Sequence, residues 1–184
     1  MELVGIPFVI LVGSILHFVY EWTGSSAWSA VFAATNESTW EHLKLAFWPM
    51  LIWAVFGMLV LVYHRRRIPI AKAAGVVCTL GAIVVGAWLI EISIGHSLPV
   101  DILLFACSVA AGQTLSYLIL IKNFVARDWW WLAGSVWGIL IAAFIYFSFW
   151  PPHLPLFQDP TLKRSPEHES AASVPFKVKT EGIA

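Results

Sequence analysis

Five stretches of this chain stay apolar for about 20 residues or more, the length an α-helix needs to cross a hydrocarbon layer of roughly 30 Å. They lie near residues 3–22, 43–63, 70–90, 98–121 and 130–150 of a chain of 184. Backbone in lipid has no water to bond with, so runs of this kind span as helices that satisfy their own N–H and C=O groups. Composition agrees, with 59% hydrophobic residues and 12% charged, well away from an average soluble domain. The expected fold is all-α: a polytopic integral membrane protein built as a bundle of about five transmembrane helices over residues 1–160. Residues 161–184, which include "LKRSPEHESAASVPFKVKTEGIA", read as a flexible polar tail.

A formal net charge of zero conceals a segregation of charge and offers no basic face for nucleic acid. Arg65, Arg66, Arg67 and Lys72 follow the second run, and Lys122 and Arg127 follow the fourth. Cationic loops of this kind stay on the cytoplasmic side. An odd number of spans then puts the N-terminus in the cytoplasm and the C-terminus outside, in a multi-pass protein of the cell membrane. The first run is not read as a signal peptide, because it opens with Glu2, lacks Lys and Arg, and contains His17 and Glu21. Cys78 and Cys107 fall inside spans and read as small buried apolar residues. Oligomeric state is not legible in the sequence.

Local signals support the helices. "STWE" at 38–41 has the form of a capping box. Pro69 and Pro99 stand at the starts of the third and fourth spans, with Ser97 upstream as a cap. Pro49 lies inside the second span and is expected to kink it. Trp22, Trp28 and Trp150 mark one interface, and Trp129, Trp130 and Trp131 the other. Gly134 with Gly138, and Ala82 with Gly86, have the four-residue spacing of close helix packing. The proline-rich, apolar stretch 151–160 is expected to fold back on the bundle.

With this topology, most of the ionisable groups in or near the bilayer gather at one mouth, on the outer side. His17 and Glu21 end the first span, and Asn36, Glu37, Glu41 and His42 begin the second. Glu91 and His96 follow the third, Asp101 opens the fourth, and His153 and Asp159 follow the fifth. Charged groups at membrane depth cost about 2.5–3.5 kcal/mol each on insertion scales, so they face the protein interior and mark functional sites. Imidazole and carboxylate together suit a divalent metal such as zinc, whose bound water becomes a nucleophile. His17, Glu21 and His42 are the candidate metal ligands, and Glu37 or Glu41 the candidate general base. No HExxH or CxxC signature is present.

Structural explanations compete at several positions. Glu41 suits a cap, Asp101 suits the positive end of a helix dipole, and Gln113, Ser116 and Ser14 suit interhelical hydrogen bonds, though they would also serve as a cavity floor. His17 and Glu21, four residues apart on one helix, are expected to face the bundle.

The elements "HFVYEWTG" at 17–24, "NESTWEHLKLAFWP" at 36–49 and "PPHLPLFQDP" at 151–160 resemble a family of small bacterial five-helix membrane proteins of unknown function. That family carries similar YEW, NESxWEHLK and PP…PLFxDP elements. The resemblance runs through Pro160 and implies a shared site at Tyr20, Glu21, Trp22, Asn36, Glu37, Trp40, Glu41, His42, Lys44, Pro49, Phe157, Asp159 and Pro160. The residues themselves point to a metal-dependent hydrolase acting on a membrane lipid or lipid-linked substrate. The alternatives are a proton- or cation-coupled transporter and a structural or accessory membrane protein.

Overall fold

The computed structural model describes residues 2–60, 67–95, 97–122 and 129–159. Six α-helices fill them: α1 (Glu2–Trp22), α2 (Ser29–Phe32), α3 (Thr39–Val60), α4 (Ile68–Ser93), α5 (Leu98–Lys122) and α6 (Trp130–Phe149), followed by a 3-10 turn at Pro155–Phe157. All but α2 are long and apolar enough to cross a membrane. The five-helix, all-α expectation therefore holds, and α2 and the 3-10 turn are additions to it. The tail beyond Asp159, the loop arginines 65 and 66, and His96 lie outside the described residues.

Helix α3 is the hub, the most buried of the five. Phe47, Met50 and Ala46 on it meet Val9 of α1, Val76 of α4, Val109 of α5 and Phe144 of α6 in one apolar core. Pro49 is itself buried there, and α3 runs through it without a break. Helices α1 and α6 bury far less, and side chains such as Leu3, Leu11 and Ile139 stand outward. In a bilayer that exposure carries no penalty, and helices associate instead by close packing and polar contacts.

The small residues that let backbones approach differ from those the spacing suggested. A Cβ at Gly13 would stand 2.7 Å from the Leu45 carbonyl oxygen of α3, and one at Gly75 the same distance from the Gly112 carbonyl oxygen of α5. Gly86 does pack on Leu104, but a Cβ at Gly134 or Gly138 would meet nothing within 4 Å. Sequence spacing reports only that two small residues share a face, and on α6 that face looks away from the bundle. Cys107 is exposed for the same reason, on the outer face of α5.

Two short segments close the end of the bundle where α1, α4 and α6 finish. After α1, Gly24 takes a left-handed conformation (φ +66°), and the Ser25 N–H bonds to the Tyr20 carbonyl at 2.9 Å. The one-turn α2 leaves its carbonyls without helical partners, and α3 supplies donors: Lys44 Nζ to Ala30 O (2.7 Å) and Trp48 Nε1 to Val31 O (2.9 Å). Residues 151–159 do fold back on the bundle. Phe157 stacks on Trp40 with centroids 4.6 Å apart, and Trp40 in turn packs on Phe144 at 4.7 Å.

Candidate functional site

The site is built where the close approach of α1 and α3 ends. One turn beyond Gly13, His17 of α1 stacks against His42 of α3, their ring centroids 5.9 Å apart and 26° from parallel. Glu37, in the turn before α3, joins both: His17 Nε2 lies 3.5 Å from Oε1, and His42 Nε2 lies 3.5 Å from Oε2. One carboxylate thus bridges two imidazoles. The backbone of Glu37 is held too, its N–H donating to Asp159 Oδ2 at 3.2 Å. The fold-back of residues 151–159 is therefore part of the site.

The tautomer of His42 follows from its second contact. Its Nδ1 lies 3.0 Å from the Ser38 carbonyl oxygen, which can only accept, so Nδ1 carries the hydrogen. Nε2 is then the basic nitrogen, and it faces Glu37 Oε2. A basic imidazole nitrogen and a carboxylate oxygen thus stand 3.5 Å apart. His17 Nδ1, by contrast, is buried with no hydrogen-bond partner among the described residues.

Glu37 and His42 border a cavity of about 510 Å³ between α3, α4, α5 and the 3-10 segment. Glu91 and Asp101 join them on its polar side, and its remaining walls are mostly apolar. These four polar groups of one cavity come from three separate stretches of the sequence. Asn36 is exposed and turns inward only to accept the Ser38 N–H (2.9 Å). His153 is exposed on the fold-back segment.

Two expectations are corrected. Glu21 does not face the bundle: it is exposed in the last turn of α1. Four residues advance a helix by about 400°, not 360°, and by Glu21 α1 has run past its packing partner. Glu41 is no open base either. Its Oε2 lies 2.6 Å from Lys44 Nζ and accepts the Thr35 N–H at 2.8 Å, with both side chains buried. Only half of the capping box forms, with Ser38 Oγ accepting from the Glu41 N–H at 3.4 Å. Asn36 has taken the reciprocal bond, which frees the carboxylate to neutralise Lys44.

As a metal centre the group fits poorly. The donor chemistry is present, but the two Nε2 atoms address different oxygens of one carboxylate rather than a common point. Among the described residues, no group of three or more His, Cys, Asp or Glu is drawn together to hold an ion.

A family profile for proteins of unknown function, DUF6512, matches residues 1–164. The chain belongs to that family. No curated protein and no solved structure matches it. The DUF6512 match takes in every residue of the site, from His17 to Asp159.

A second polar group escaped the sequence reading. At the opposite end of the bundle, Lys72 Nζ bonds Glu2 Oε2 at 2.6 Å and Gln113 Oε1 at 2.9 Å, tying α4 to α1 and α5. Lys72 is not a loop cation but is 1% exposed within α4. Gln113 therefore does not floor the cavity beside Glu37, and Ser14 merely bonds its own helix at Ile10 O. The available signal was the pair of charges, Glu2 and Lys72, each set against a long apolar run.

Proposed function

We propose that this DUF6512 protein is a membrane-embedded hydrolase of an amphiphile, with Glu37 and His42 as its acid–base pair. One observation carries the reading: an imidazole of fixed tautomer and a carboxylate 3.5 Å from its basic nitrogen border a cavity with a polar side and apolar walls. An amphiphile in the cavity would keep its chains against those walls and its polar bond beside His42. Water gives a proton to His42 Nε2 or Glu37 as its oxygen attacks the acyl carbon or phosphorus. The same pair returns that proton to the departing oxygen, or nitrogen in an amide, as its bond breaks. His17 stands behind Glu37 and orients it.

The cationic-loop rule puts this end of the bundle outside and the Arg67 end in the cytoplasm. Reporter fusions at Arg67 and at the C-terminus would then read opposite sides, and reading the same side would refute the orientation. For the activity, purified protein is supplied with lipid esters, amides and phosphodiesters, and released products are resolved by mass spectrometry. Turnover by wild type that falls at least a hundredfold in His42→Asn supports the reading. Turnover unchanged in that variant, or none on any class, overturns it.

A proton-coupled carrier is the second reading, because α1 carries an ionisable cluster near each end, at His17 and at Glu2. Flux in proteoliposomes that requires both Glu37 and Lys72 would select it over hydrolysis.

A further inference from the structure

Gly86 of α4 differs in kind from Gly13 and Gly75. At those two the atom nearest an added Cβ is a backbone carbonyl oxygen, so each lets two helices approach closely. At Gly86 the three nearest atoms all belong to one side chain, Leu104 of α5: a Cβ would fall on Cδ1 and stand 3.1 Å from Cδ2 and 3.2 Å from Cγ. Gly86 is thus a notch that receives a side chain. Leu104 is also a wall of the cavity that Glu37 and His42 border. It stands between the notch and the cavity.

The level of this wall decides what it can read. Helix α5 enters the bundle from the end that carries Asp101, and Leu104 follows three residues later, about 4.5 Å further in along the axis. An amphiphile with its polar bond beside His42 would bring the first part of its apolar chain to this level. Phe105, the neighbouring α5 wall, packs on the apolar core, and its Cζ would stand 3.1 Å from a Cβ on Gly13, so its ring is hemmed in. Leu104 is the adjustable wall, because the tip of a leucine moves by turning between rotamers. Divided into pieces of about 30 Å³, the share of one water molecule and close to that of a methylene group, the cavity of about 510 Å³ holds roughly 17 of them. That is room for one long acyl chain and not for two. We infer that the cavity takes a single-chain amphiphile, and that Leu104, seated in the Gly86 notch, sets the width open to its chain. This inference rests on the hydrolase reading for the placement of an amphiphile in the cavity, and it names the class of that amphiphile and a residue that selects it.

The test measures binding apart from turnover. Protein in digitonin, a detergent without an acyl chain, is given equimolar monopalmitoylglycerol and dipalmitoylglycerol, two uncharged esters that differ in chain number. Lipid retained through gel filtration is extracted and quantified by mass spectrometry. Wild type should retain the single-chain ester at least tenfold over the two-chain ester. Gly86→Ala should turn Leu104 toward the cavity and cut retention of monopalmitoylglycerol at least fivefold, with melting close to wild type, since only a side-chain tip has to move. Adding Leu104→Ala should restore retention to within about twofold of wild type, which a general loosening of α4 from α5 would not do. Leu104→Phe enlarges the same wall with the glycine intact and should also cut retention, so a folding defect in Gly86→Ala leaves the test in place. Equal retention of the two esters, retention of neither, wild-type binding by both Gly86→Ala and Leu104→Phe, or a double variant no better than Gly86→Ala overturns the inference. The two readings separate: hydrolysis confined to two-chain lipids sinks this inference alone, whereas single-chain selectivity that follows Gly86 and Leu104, without turnover on any class, sinks only the hydrolase.

Discussion

Gly13 of α1 lies against the Leu45 carbonyl of α3 so closely that a Cβ on it would stand 2.7 Å from that oxygen. Leu45 follows His42 by three residues and Gly13 precedes His17 by four, so this contact sets the distance between the two imidazoles. Gly13→Ala should force the helices apart, lower stability by about 1–3 kcal/mol and weaken any activity that needs the His17–Glu37–His42 group. Gly134→Ala is the control, since a Cβ there meets nothing within 4 Å. Thermal melting of both variants in detergent checks the contrast, and equal effects would refute the packing account.

The Lys72 group at the far end makes a prediction of different shape. Lys72→Met leaves Glu2 buried without its cation, a change that costs about 3–5 kcal/mol where one partner of a buried pair is removed. Lys72→Met combined with Glu2→Leu removes both charges and should regain most of that loss. A double variant no more stable than Lys72→Met would mean that the pair is not what joins α1 to α4.

Much of the fold was legible because lipid leaves the backbone few choices. Each of the five spans begins and ends within about four residues of the apolar run that announced it. Long-range pairing was not legible. Lys72 and Glu2 are 70 positions apart, and a lysine five residues after Arg67 looks like one more loop cation until α4 is seen to start at Ile68. The site was legible as a set of ionisable residues at one end, but roles within the set were not. Glu21 and Glu37 are both carboxylates near His17 in the sequence. Which of them reaches the imidazoles depends on a turn, 23–38, whose course is set by Gly24, by α2 and by the Lys44 and Trp48 bonds to α2 carbonyls.

Asp159 should matter more to function than to stability. It accepts the Glu37 N–H at 3.2 Å from the fold-back segment, while Phe157 on Trp40 anchors that segment independently. Asp159→Ala is expected to lower turnover at least tenfold, because Glu37 loses its register with the imidazoles, while the protein still folds and melts cooperatively, since the Phe157–Trp40 contact keeps the segment in place. Loss of folding instead would show the aspartate to be a structural clasp.

Glu37 and Glu41 offer the sharpest contrast, because the sequence presents them as equal candidates for the base. Glu37 is partly exposed, borders the cavity and touches two imidazoles. Glu41 is buried and saturated by Lys44 and the Thr35 N–H. Glu37→Gln keeps the shape but cannot take a proton, so turnover should fall by about 10²–10⁴, the usual range for loss of a general acid–base group, with melting close to wild type. Glu41→Gln leaves the Lys44 ammonium buried beside a neutral amide, at a cost of about 3 kcal/mol by the rule for broken buried pairs. Its activity per folded molecule should stay within about threefold of wild type, since Glu41 does not border the cavity. Measuring turnover against the folded fraction separates the two effects. Should Glu41→Gln prove stable but inactive while Glu37→Gln turns over normally, the acid–base pair would have to be moved from Glu37 and His42 to the Glu41–Lys44 pair.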